Sequence, residues 1–222
     1  MGNLGGVSIL DKIKKIHVAH LKKLSDRGDY IANVINLPPF KGRTDVSTAT
    51  EEKDEIWFKY NNYNPDLATR INYGSLTAMN KQEICFQEQM LEIYSEIAES
   101  ERGFYLILED DFRLCDDFSG KYEKILSNIP EDSDCCFLGS CCNLLVPDSY
   151  EGEFWPSEKS RCGIAYTITP SFCQKLIKTK EYYMPADWNL TFVKDLLGGK
   201  FYWSKTILFN QGSEGTYKSN IR

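Results

Sequence analysis

Positive charge is scarce in this sequence. Its 26 lysines and arginines are outnumbered by 32 aspartates and glutamates, so the net charge is -6 and the isoelectric point is near 5.1. Nucleic acids and anionic membrane surfaces attract basic proteins, because their phosphates carry negative charge. The charge balance therefore predicts no nucleic-acid partner, and any anionic ligand must be held by a few local groups.

Long apolar segments are also lacking. No stretch approaches the roughly 20 apolar residues of a transmembrane helix, and residues 1–6 lack the charged and apolar regions of a secretory signal. The eight cysteines include no Cys-x-x-Cys pair, which is the usual half of a structural zinc site. We therefore expect no transmembrane segment, a cytoplasmic location and reduced cysteines.

The sequence does contain alternating strand and helix patterns. Apolar runs at 15–21, 104–108 and 162–169 predict strands, and apolar residues at helical spacing within 80–100 predict an amphipathic helix. Strands that alternate with helices build parallel sheets covered on both faces. We predict an α/β fold with a mostly parallel central sheet flanked by helices, formed as a single domain over residues 1–222.

Three consecutive acids, Glu109-Asp110-Asp111, follow the apolar run 104–108. Ligands bind at the carboxyl ends of parallel strands. If the backbone stays extended, Glu109 and Asp111 share one face and Asp110 points the other way. Crowded carboxylates repel unless a hard divalent ion compensates them, so we predict Mn²⁺ or Mg²⁺ on Glu109 and Asp111 with Asp110 beside them. The alternative is a solvated acidic turn.

Residues just after the first strand are candidates for nucleotide contact, because this segment commonly touches the nucleotide in α/β folds. They are His20, Leu21 and Arg27. For His20 the alternative is ordinary packing beside a strand. Lys218 and Arg222, near the end of an otherwise acidic chain, are candidate phosphate partners, and simple solvation is the alternative for both.

Several short motifs follow one another in a recognisable order. They are the opening strand 16–21 with Arg27, a helix that begins near 83–85, the strand ending in Glu109-Asp110-Asp111, the strand 137–139, the Gly-x-x-Tyr strand 163–168, Pro185-Ala186-Asp187, and a closing segment from Gln211 to 219–221. In this order they resemble glycosyltransferase family 25, the lipopolysaccharide and procollagen galactosyltransferase group. The resemblance covers nearly the whole chain.

The resemblance implies a GT-A-like glycosyltransferase that moves a sugar from a nucleotide-diphosphate donor, such as a UDP-sugar, to a glycan or glycoprotein acceptor with inversion. It implies that Asp187 is the catalytic base and that Trp188, Gln211 and Ser213 contact the acceptor or the sugar. For Asp187 the alternative is the N-cap of the following helix. Such a cytoplasmic enzyme suits a bacterium or a large virus, in the latter case in the host cytoplasm.

The sequence also departs from the family pattern. Where the family has Cys-x-x-Ser-His, this chain has Cys85-Phe86-Gln87-Glu88-Gln89, and the polar stretch 41–69 has no good match. The sugar and the acceptor are therefore not identified by the resemblance. Two other functions fit the same acids: a Mg²⁺-dependent phosphohydrolase or nuclease, although a second acidic cluster for a two-metal site is missing, and a nucleotide-sugar-binding module without turnover.

Overall fold

A computed structural model describes residues 12–49, 81–180 and 184–214. Its helices are α1 (Ser25–Val34), α2 (Lys81–Ala98), α3 (Phe118–Ser127), α4 (Pro170–Lys178) and α5 (Ala186–Leu197), with a 3₁₀ turn at Gly212–Glu214. Its strands are β1 (Ile13–Leu21), β2 (Thr44–Ala49), β3 (Phe104–Glu109), β4 (Phe112–Leu114), β5 (Cys135–Phe137), β6 (Gly139–Ser140), β7 (Phe154–Ser157), β8 (Ala165–Ile168), β9 (Phe201–Ser204) and β10 (Phe209–Gln211).

Seven of these strands form the central sheet, in the order β2-β1-β3-β8-β5-β9-β7. Strands β1, β2, β3, β5 and β9 run in one direction, while β8 and β7 run antiparallel to their neighbours. The predicted α/β class with a mostly parallel sheet is confirmed. The predicted strand at 15–21 begins two residues earlier, at Ile13.

Side-chain alternation along β3 divides the core into two layers. Leu106 and Leu108 face a layer that includes α1 and α3, while Tyr105 and Ile107 face a layer that includes α2, α4 and α5. All four residues are buried. Because both faces of the strand are covered, its apolar run is continuous rather than alternating with polar residues.

Local signals explain where the helices of the second layer begin and end. Thr169 caps α4, with its side chain accepting a hydrogen bond from the Phe172 amide, and Pro170 occupies the first turn, where its missing N–H costs nothing. α5 ends at Gly198, which has φ +75°. None of the helices in the described residues combines the length and the apolar character that a membrane span requires.

A second, three-stranded sheet has the order β4-β10-β6. β10 pairs antiparallel with β4, so Gln211 lies opposite Phe112, and the Gly212 amide donates to the Asp111 carbonyl over 2.6 Å. This sheet therefore brings the segment around Gln211 against the acidic turn that follows β3, across 100 residues of chain.

The expectation that all eight cysteines are reduced is wrong for two of them. Cys141 and Cys162 form a disulfide with their Cα atoms 6.3 Å apart, while the other six cysteines do not form disulfides. The bridge joins the segment after β6 to the segment before β8. Sequence inspection missed it because the two residues are 21 positions apart and become neighbours only when those segments meet at one end of the sheet.

Alkylation of the denatured protein tests the bridge. Without reductant we expect six modified cysteines per chain, and after reduction eight, because only the bridged pair is protected from alkylation. Intact mass measurement counts the adducts, and peptide mapping should place the unmodified pair at Cys141 and Cys162. Eight adducts without reductant would contradict the bridge.

Candidate functional site

The acidic run lies at the carboxyl edge of the sheet. β1 and β3 are parallel neighbours, with Ala19 paired with Glu109, so the ends of the two strands meet there. The β3 strand ends at Glu109, and Asp110 and Asp111 form a turn before β4. The turn interrupts the extended backbone, and each of the three carboxylates has a different environment.

Asp110 is the centre of a buried polar cluster, here called the Asp110 cluster, that contains His20, Leu21 and Arg27. Its Oδ1 accepts from Arg27 Nη1 over 2.5 Å, and its Oδ2 lies 3.1 Å from His20 Nδ1 and accepts from the Leu21 amide over 3.0 Å. Burial alone raises its pKa, but these three contacts outweigh burial, and the pKa of Asp110 lies below its usual value.

The structure thus brings together His20, Leu21 and Arg27, the residues after the first strand that were predicted to contact the nucleotide, and Asp110 contacts all three. Both of its carboxylate oxygens already have partners within the protein, so this acid fixes the end of β1 and the start of α1. Gln89 adds to this from α2, since its Nε2 donates to the carbonyls of His20 and Ser47. Gln89, which stands where the family pattern has histidine, therefore links β1 to β2.

Glu109 points toward α5 and the glycine that precedes β8. Burial, followed by the negative charges of Asp111 and Asp187, raises its pKa well above the usual value. A Cβ on Gly163 would lie 2.2 Å from Glu109 Oε1, so a larger residue there would force this carboxylate to move. Gly163 has no functional group, but it contributes to the site by leaving room for the Glu109 carboxylate.

Asp111 is buried, with 5% of its surface exposed. Its Oδ1 has no hydrogen-bond donor among the described residues. A buried carboxylate oxygen without a donor is costly unless a cation satisfies it. With Glu109 close enough to be perturbed by its charge, Asp111 has the environment of a ligand for a hard cation.

Asp187 lies in the first turn of α5, and Pro185, not Asp187, occupies the N-cap position. Its Oδ1 accepts from the Trp188 amide over 3.0 Å. Ser160 anchors this turn, because its Oγ donates to the Asp187 carbonyl and its amide donates to Thr191 Oγ1. The N-terminal end of a helix favours a negative charge, which suits an ionised Asp187.

Two adjoining cavities share Phe86, Glu109 and Gln211. The smaller, of about 60 Å³, is also lined by Leu21, Arg27, Asp110, Asp111 and Ser213. The larger, of about 450 Å³, is also lined by Asp187, Trp188, Lys159, Glu83 and the three cysteines 141, 142 and 162.

The cavities divide most of the described site residues predicted from the sequence into two groups, with Glu109 and Gln211 between them, whereas His20 lines neither cavity. Lys218 and Arg222 lie outside the described residues. Sequence reasoning did not assign Phe86, Glu83 and Lys159 to the site. They line the larger cavity through the packing of α2 and of the segment after β7.

The three acids do not form a tight cage. Within the part of the chain that the structure describes, the group of three potential ligand atoms lying within 4.8 Å of one another consists of cysteine sulfurs. A divalent ion at the acidic turn would therefore take one or two carboxylates and complete its shell with water and ligand phosphates, as Mg²⁺ commonly does.

Comparison with known proteins finds similarity to solved structures. No protein-family model and no curated protein matches the chain. Among solved structures, the chain is similar to S. aureus TarS 1–349, with a TM-score of 0.45, 15% identity, and coverage of 90% of this chain and 60% of that one. It is also similar to S. aureus TarS 1–349 in complex with UDP-GlcNAc, with a TM-score of 0.44, 11% identity and coverage of 92% and 62%. The chain thus spans about three fifths of the length of these structures.

The Asp110 cluster makes a prediction about stability. Replacing Arg27 with Met leaves a buried carboxylate without its cation, which is expected to lower the free energy of unfolding by about 3–5 kcal/mol. Lys200→Met is the matched control, because Lys200 pairs with Asp132 over 2.6 Å on the surface and its loss should have little effect. Urea denaturation measures both variants. Equal losses would contradict a special role for the Asp110 cluster.

Proposed function

We propose that the chain is a GT-A-like, metal-dependent glycosyltransferase that moves a sugar from a nucleotide-diphosphate sugar, such as a UDP-sugar, to a glycan or glycoprotein acceptor with inversion. The observation that carries the proposal is the position of Glu109 between Asp111 and Asp187. Both neighbours perturb its pKa, and Glu109 lines both cavities at the carboxyl edge of the sheet. Donor and acceptor chemistry would meet at this carboxylate.

The residues at the acidic turn fit a hard divalent ion. Glu109 and Asp111 would hold Mn²⁺ or Mg²⁺, since Asp111 Oδ1 is buried without a donor in the described residues and both acids line the smaller cavity. When bound, the ion would neutralise the charge that develops on the diphosphate leaving group. Asp110 would contribute indirectly, by fixing the neighbouring turn and the end of β1.

The donor nucleotide would lie against the smaller cavity. Leu21, Arg27 and Ser213 line it, and the Asp110 cluster holds Leu21 and Arg27 in place. The guanidinium of Arg27 already pairs with Asp110, so its charge also fixes the geometry of the site. Lys218 and Arg222 remain predicted phosphate partners that would supply the remaining positive charge.

The acceptor would enter the larger cavity, where Asp187 and Trp188 lie side by side on the first turn of α5. The indole ring would stack on a sugar face, and Gln211 would offer an amide to hydroxyl groups. The Asp187 carboxylate would accept the proton of the attacking hydroxyl. Attack from the side opposite the leaving diphosphate inverts the anomeric centre.

Donor turnover with different UDP-sugars tests the reaction class. With Mn²⁺ and no acceptor, slow release of UDP and free sugar is expected, because water replaces the acceptor. Asp111→Ala should abolish this release and Mn²⁺ binding, while Asp116→Ala, an exposed acid beyond β4, should retain both. Isothermal titration and nucleotide chromatography give the two measurements. Release of UMP instead would indicate a phosphohydrolase, and binding without release would indicate a non-catalytic module.

Asp187→Asn tests the catalytic base. The asparagine oxygen can still accept from the Trp188 amide but cannot take the proton, so transfer should fall roughly 10²-fold or more with near-normal stability and donor affinity. Asp195→Asn is the control, since Asp195 is an exposed acid on the same helix. Transfer to an acceptor is followed by product chromatography, and the anomeric configuration by NMR. Transfer at the parental rate would exclude Asp187 as the base.

A further inference from the structure

The lining of the larger cavity includes three cysteines. The Sγ atoms of Cys141, Cys142 and Cys162 lie within 4.8 Å of one another, and all three residues line the cavity. Cys141 is buried, Cys162 is half-buried and Cys142 is exposed. We call this group the thiol cluster. It has no role in the sugar transfer proposed above.

Hydrogen bonds hold the thiol cluster together independently of the disulfide. Arg161, only 1% exposed, donates from Nε to the Leu144 carbonyl over 2.5 Å and from Nη1 to the Ser204 carbonyl over 2.6 Å. The Leu144 carbonyl also accepts from Ser140 Oγ, and the Leu144 amide donates to the Cys141 carbonyl. The two segments that carry the cysteines would therefore stay together after the disulfide is reduced.

We propose that the thiol cluster, once its disulfide is reduced, binds one soft divalent ion of the Zn²⁺ type through the sulfurs of Cys141, Cys142 and Cys162. A phosphine reductant takes the oxygen of one water molecule, becomes a phosphine oxide and leaves two thiols. The ion then displaces the protons of three thiols. The fourth position faces the cavity and takes a water molecule.

The geometry suits such an ion. Zinc–sulfur bonds of about 2.3 Å in a tetrahedral arrangement place the sulfurs roughly 3.8 Å apart. Cys142 Sγ already lies within 4.8 Å of the other two sulfurs, and those of Cys141 and Cys162 would move apart once their bond is reduced. Three protein ligands with one open position are typical of zinc sites that remain accessible to ligands. Thiolates select soft ions, whereas the carboxylates of the acidic turn would select Mn²⁺ or Mg²⁺. The two sites would not compete for the same metal.

Cobalt titration tests the proposal with a signal that depends on sulfur. Protein reduced with a phosphine and freed of reductant under nitrogen is titrated with Co²⁺, and a thiolate-to-cobalt charge-transfer band should grow to one equivalent and vanish on adding Zn²⁺. Unreduced protein should show no band. Because oxygen ligands give no such band, binding at Glu109 and Asp111 does not contribute, and failure of the proposed transferase activity would leave this result unaffected.

Two cysteine variants locate the site. Cys142→Ser removes an exposed ligand that is outside the disulfide, so it should fold normally and lose the band. Cys115→Ser, outside the thiol cluster, should retain the band at full intensity. No band in the reduced parental protein, an equal band without reduction, or an unchanged band in Cys142→Ser would each overturn the proposal.

Discussion

The contact between the Asp110 carboxylate and the Arg27 guanidinium is the constraint on which the site depends. It lies at the point where β1, α1 and β3 converge, and both partners are more than nine-tenths buried. A charge buried there is tolerated only because each partner compensates the other and because His20 and the Leu21 amide occupy the remaining oxygen. This pair therefore fixes the ends of the neighbouring strands β1 and β3 relative to each other.

The other two acids of the run have different surroundings. Asp110 takes the donors from β1 and α1, whereas Asp111 Oδ1 has no hydrogen-bond donor among the described residues. Gly163 lies against the Glu109 carboxylate, and the Gly212 amide donates to the Asp111 carbonyl. The three consecutive acids therefore include one with a structural role, Asp110, and two for which cation binding is the proposed role.

The lining of the larger cavity combines contrasting chemistry. It includes the carboxylates of Glu109 and Asp187 and the sulfurs of the thiol cluster. Arg161 holds the cysteine-bearing segments through backbone carbonyls, while Ser160, the residue before it, holds the first turn of α5. The segment 160–163 therefore positions a candidate base, a disulfide and the glycine beside Glu109 at the same time.

Residue patterns by themselves determined the α/β class, the buried strand before the acids and the amphipathic helix within 80–100. These features arise from local periodicity. Only the tertiary structure decided that Asp110 points into the protein, that Asp187 follows the N-cap instead of forming it, and that Cys141 meets Cys162. Each of these outcomes depends on contacts between segments distant in sequence, and no local pattern records which segments will pack together.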